Sequence, residues 1–126
     1  MKIAFLSQMA FSGKIPRDHL NMRTEFAQMC ALEADHYSLY DVDKISEEYD
    51  HVVLLIPKTQ QDRDGLYNID IVRKARRFGK KVWFMQEGPN WIFQDLPIHQ
   101  QFWHYNVLMD VDGILTENRT DIPYFR

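Results

Sequence analysis

The residues best suited to chemistry in this chain cluster just beyond its apolar runs. Glu87 sits in QEGPNWIFQD, residues 86–95, directly after the apolar KVWFM; Glu117 follows GILT at 113–116. Two carboxylates facing each other across a cleft can act as acid and base, or hold the hydroxyls of a sugar. Equally, each can cap a helix or a loop amide. An earlier loop, residues 7–19, carries Ser12, Gly13 and Lys14, with Arg17 and His19 behind them. Backbone amides and a lysine in such a loop can receive a phosphate or an acceptor group, or the segment is an ordinary solvated loop. However, Gln8 stands where a P-loop needs glycine, and no G-x-G-x-x-G occurs. A third loop, PKTQQDRDG from position 57, offers Lys58, Gln60 and Arg63, or is a polar surface connection.

Some patterns lead nowhere. MDVDGILTEN, residues 109–118, looks like the D-x-D-G-x-L-T signature of haloacid-dehalogenase-type phosphatases. There, however, the first aspartate follows an early strand, whereas Asp110 here precedes a late one. The same residues lack the remainder of a calcium loop. His99 and His104 are five apart, which does not give the i, i+4 pairing of a helical metal site. Cys30 is the only cysteine, so neither an intrachain disulfide nor a cysteine-rich zinc site can form. No metal and no cofactor is expected.

These residues must be positioned by an alternating pattern of elements. Apolar runs at 2–6 (KIAFL), 36–40 (HYSLY), 51–56 (HVVLLI), 81–85 (KVWFM) and 113–116 (GILT) read as five strands. Runs apolar at nearly every position indicate strands covered on both faces, as in a parallel sheet. Between them, Met22, Phe26, Met29, Cys30 and Glu33 form one helical stripe, with Asp18 or Asn21 as its cap. Residues 44–49 give at most a short helix. Ile69, Val72 and Ala75 form a second stripe, with Arg73, Lys74, Arg76 and Arg77 in its last turns and Gly79 as its stop. A further helix has Pro97 near its start, followed by Ile98, Phe102, Tyr105 and Met109.

Strands alternating with helices predict a three-layer α/β/α fold of Rossmann or flavodoxin-like type, with right-handed crossovers. The third run is the most apolar and the second the most polar, which predicts a five-stranded parallel sheet in the order 2-1-3-4-5. In such a sheet the loops after strands 1, 3, 4 and 5 meet at the carboxyl rim, where ligands bind. At 126 residues the chain is expected to be a single domain, 1–126. Fifteen basic and eighteen acidic residues give a net charge of −3, so no global field draws in nucleic acid. No run approaches the ~18 continuous apolar residues of a membrane span. A cytoplasmic location is expected, without a membrane partner.

The order of segments MKIAFLSQ, HVVLLIP, KVWFMQEGPNWIFQD and DGILTENRTDIPYF resembles the N-terminal Rossmann-like half of a two-domain GT-B-type glycosyltransferase, particularly those of phage-like genomes. QEGP and the DGIL strand carry most of the likeness. The resemblance implies an acceptor-side domain, inactive alone, whose partner half binds most of the nucleotide-sugar donor. By position it puts Ser12, Gly13, Lys14, Gln86, Glu87 and Gly88 along the interdomain cleft. Lys58, Trp91 and Glu117 complete the candidate ligand-binding set, and no catalytic residue is assigned. Trp91, Phe93, Phe102, Trp103 and Tyr105 exceed what one helical stripe needs. They fit a seat for a C-terminal glycosyltransferase domain on another chain, for a second copy, or for a sugar or nucleotide-sugar; equally, two-sided coverage of the helix can bury most of them. Two other readings stay open: a stand-alone flavodoxin-like small-ligand-binding or protein-interaction module, and a small self-sufficient enzyme using Glu87.

Overall fold

The structure is a computed structural model that describes residues 1–8, 11–20, 24–56, 70–85 and 107–115. Strand β1 (Ile3–Ser7) is buried at all five positions, as a strand covered on both faces must be. Helix α1 (Thr24–Ala31) leads to β2 (Asp35–Ser38), then β3 (Tyr49–Leu54), α2 (Asp70–Arg76), β4 (Gly79–Met85) and β5 (Gly113–Leu115). All neighbouring strands pair in parallel, in the order β2-β1-β3-β4-β5. The sequence-based order is therefore observed, with the polar β2 at one border.

Local chemistry explains the ends of the elements. Helix α1 stops where Ala34 N donates to the Met29 carbonyl and Glu33 N to that of Cys30. This closure needs a left-handed residue, and Glu33 supplies it at φ 59°. Glu33 is thus an exposed turn residue and not part of the helical stripe. Gly79 opens β4 rather than merely stopping α2. A Cβ there would collide with the Val52 side chain, so glycine lets the end of α2 lie close against β3.

Other expectations shift as well. Residues 44–49 form no helix; Tyr49 begins β3, and its amide donates to the Phe78 carbonyl at 2.7 Å. The second strand ends at Ser38, because Leu39–Asp41 turn into a 3-10 helix capped by the Ser38 hydroxyl. The third strand ends two residues earlier than its apolar run, although Leu55 and Ile56 remain buried. Met109 is 84% exposed, and Val107 is the buried position of the helical residues 107–110.

Two apolar layers flank the sheet. On one face, Leu6, Val52, Leu54, Val82 and Phe84 pack with Ile71, Val72 and Ala75 of α2 and with Val107. On the other, Phe5, Val53 and Met85 pack with Phe26 and Met29 of α1 and with Ile15 and Leu20.

Candidate functional site

The sheet order places a topological switch between β1 and β3. The β1 connection leads to β2 on one side, and the β3 connection leads to β4 on the other. Such a switch opens a crevice at the carboxyl ends of the strands. Among the described residues, this rim carries Ser7, nearly buried, then Gln8, whose side-chain amide donates to the Tyr40 hydroxyl at 3.3 Å. Asp41, also buried, lies at the rim beyond β2 and accepts a 2.9 Å bond from the Gly13 amide.

That bond changes the reading of the first loop. Gly13 adopts the left-handed φ of 78°, and its N–H, the one a phosphate would use, is already bound to a carboxylate. A second anion beside Asp41 would be repelled. The chain then passes along the outer edge of β2, where Ile15 N donates to the His36 carbonyl at 2.8 Å. Ser12 is exposed on this loop. Lys14 does not turn toward the rim. Its ammonium lies 2.8 Å from Glu47 and 3.5 Å from Asp35, the first residue of β2, at the amino end of the sheet. The structure therefore brings Ser12 and Gly13 near Asp41 and separates Lys14 from the rim. Lys58, Gln86, Glu87, Gly88, Trp91 and Glu117 lie outside the described residues, as do Phe93, Phe102, Trp103 and Tyr105.

Around Lys14 is a polar network that sequence reasoning missed. The buried Tyr49 hydroxyl donates to Asp35 at 2.8 Å, which commits its only proton. Tyr37 must then be the donor in the 2.6 Å contact between the two phenols. Glu47 accepts from Lys14 and, at 2.7 Å, from Lys2, whose ammonium also lies 4.8 Å above the Tyr49 ring. The Lys14 bond, followed by that of Lys2, holds the Glu47 carboxyl down at about 2. The same bond from Glu47 raises Lys14 above its ordinary value. Burial first, then the neighbouring hydroxyl and carboxylate, pushes Tyr49 above the phenol range; burial also raises Tyr37. Neither phenol is poised to give up a proton near neutrality, and the charges satisfy one another. The network is a clamp fastening two loops to the sheet. Its one signal in the sequence is Asp35-x-Tyr37, a period-two pair on one face of a strand.

The D-x-D-G segment has a structural role of the same kind. Asp112 accepts from Val82 N at 2.8 Å and from Arg76 at 2.9 Å, while its own amide donates back to the Val82 carbonyl. These contacts, the Val82 amide foremost, lower the Asp112 carboxyl below its usual range. Asp110 offers its carbonyl to Arg76. Both aspartates precede β5 and anchor its start. Three other basic residues of this region are also engaged: Lys74 and Arg77 on Asp43, and Lys80 on Asp50.

A second concavity opens on the face that carries α1. Its floor is Ile3, Val53, Trp83 and Leu115, its wall Met29 and Leu32, and its volume about 240 Å³. Trp83 lies across β5, where a Cβ on Gly113 would run into its ring, and its indole N–H donates to His51 Nδ1 at 3.0 Å. With its nitrogen so engaged, the indole offers the groove an apolar floor. Among the described residues, no cluster of three His, Cys, Asp or Glu side chains could hold a metal ion. Among them, too, no helix is long and apolar enough to cross a membrane. Comparison with known proteins finds no matching family model, curated protein or solved structure.

Proposed function

We propose that the chain is the acceptor-side, N-terminal Rossmann-like domain of a GT-B-type, phage-like glycosyltransferase. It receives a sugar-bearing acceptor at the carboxyl rim of its sheet and relies on a second domain for the nucleotide-sugar donor. The observation that supports this reading best is the β1/β3 switch, with Ser7, Gln8, Ser12 and Tyr40 near it. Hydroxyl and amide groups at such a crevice suit the neutral hydroxyls of a saccharide. The Gly13–Asp41 bond and the diversion of Lys14 both disfavour a phosphate in this loop. This division of labour keeps the anionic donor on the other domain and leaves the isolated chain inactive.

Titration of the purified chain with acceptor saccharides, and separately with nucleotide-sugars, tests the assignment. Saccharide binding is expected to shift the backbone amides of Gln8, Ser12 and Gly13 in NMR spectra, with no sugar transfer. Binding of nucleotide-sugar alone, with the amides unmoved by every saccharide tried, would sink it.

A second reading, a protein-interaction module, draws on the open apolar groove with Met1 and Leu32 exposed at its rim. Sedimentation showing one monomeric species at every concentration would count against self-association through this face.

A further inference from the structure

His36 is nearly fully buried at 3% exposure, yet its Nδ1 has no hydrogen-bond partner. Its Nε2 faces only the Cys30 sulfur of α1, at 3.7 Å, a weak partner. The rings of Phe5 and Phe26 enclose the imidazole with centroids at 5.1 and 6.1 Å. The same residue fastens three parts together: its strand pairing joins β2 to β1, its ring meets α1, and its carbonyl holds Ile15.

Neutral imidazole fits this place because the orphan Nδ1 can remain a bare lone pair. The added proton would create a buried N–H with no acceptor and a cation between two aromatic rings. Among the described residues, the charged and titratable groups facing the ring are few. Arg17, from the 3-10 turn Arg17–His19, opposes the charge; Cys30 on α1 supplies no counter-ion. Asp35, on the same strand, favours the charge, but it already accepts from Tyr49 and faces Lys14. β1 contributes only Phe5.

We propose that His36 is an acid-sensitive fastener, whose protonation loosens α1 and the 11–20 segment from the edge of the sheet. Burial first, then Arg17, lowers its titration below the ordinary 6.5, which agrees with this geometry. The direction follows from linkage. A group whose folded value lies below its unfolded one gives its full stabilisation above the unfolded value. That contribution is lost as pH falls below about 6.5 toward the folded value. The segment released carries Ser12, Gly13 and Lys14, so mild acid would change the first loop of the rim. The inference does not depend on what the rim binds.

The test combines denaturant unfolding with amide hydrogen exchange, between about pH 7.5 and about pH 5.5. The folding constant of the wild-type chain is expected to fall by up to about tenfold per pH unit below about 6.5. Exchange, corrected for its intrinsic pH dependence, should accelerate in residues 11–20 and 24–31 well before β3 and β4. His36→Gln and His36→Phe should each flatten the slope. A slope kept in either folded variant, or exchange rising equally in β3 and β4, overturns the proposal. The NMR titration of His36 in the wild-type chain decides the case even if neither variant folds. A midpoint at or above about 6.5 excludes the fastener, and one clearly below it supports the fastener.

Discussion

The two faces of this sheet are built from the same strands but finished differently. On one face, α2 and residues 107–110 close over Val52, Leu54, Val82 and Phe84, all four of which are fully buried. On the other, α1 covers the β2–β1 side, and the groove over Ile3, Val53, Trp83 and Leu115 stays open among the described residues. Connectivity accounts for the difference. Both the β3–β4 and the β4–β5 crossovers run in one direction across the sheet, so right-handedness puts their helices on the same face. The β1–β2 crossover runs the other way and places α1 opposite. The apolar residues are written for two covered faces, and among the described residues one face is closed and the other half covered.

The contrast can be broken at three points. Phe84→Ala, in the closed face, is expected to cost about 3–5 kcal/mol of unfolding free energy in urea denaturation, because the ring is fully buried in the apolar layer and its removal leaves a cavity. A loss of under about 1 kcal/mol would show that this face is looser than its burial implies. Gly113→Ala pushes a methyl into the Trp83 ring on the open face. There the expected loss is about 1–3 kcal/mol, reduced if the ring can swing into the groove, and indole fluorescence would report that swing. Leu32→Ser, at the groove rim with Leu32 53% exposed, should change stability by no more than about 0.5 kcal/mol. A larger loss would mean that something covers the rim in solution.

Much of the architecture was legible because parallel strands must be apolar on both sides. KIAFL and HVVLLI announce themselves, and the polar HYSLY announces a border. The periodic stripe through Val72 and Ala75 was equally clear, as both are buried in α2. Legibility failed where one residue's role depends on a distant partner. Tyr49 reads as the end of a short helix until Phe78, Tyr37 and Asp35 are brought beside it. Lys14 reads as a rim residue until Glu47 draws it to the opposite end of the sheet. Met109 fits the helical period, yet Val107 takes the buried place, because periodicity fixes spacing and not the phase of a face against the sheet. The carboxylate expected to matter most, Glu87, lies outside the described residues. The rim carboxylate that the structure does place, Asp41, was hidden in an acidic stretch without pattern.

The bond between Ile15 N and the His36 carbonyl has a consequence for the molecule among its own kind. A border strand with free carbonyls is a template on which another chain can add a strand, the first step toward sheet-like aggregates. The first loop occupies the middle of the short β2 border, so an incoming strand would have to displace it. The loop thus keeps concentrated protein from polymerising edge to edge along β2.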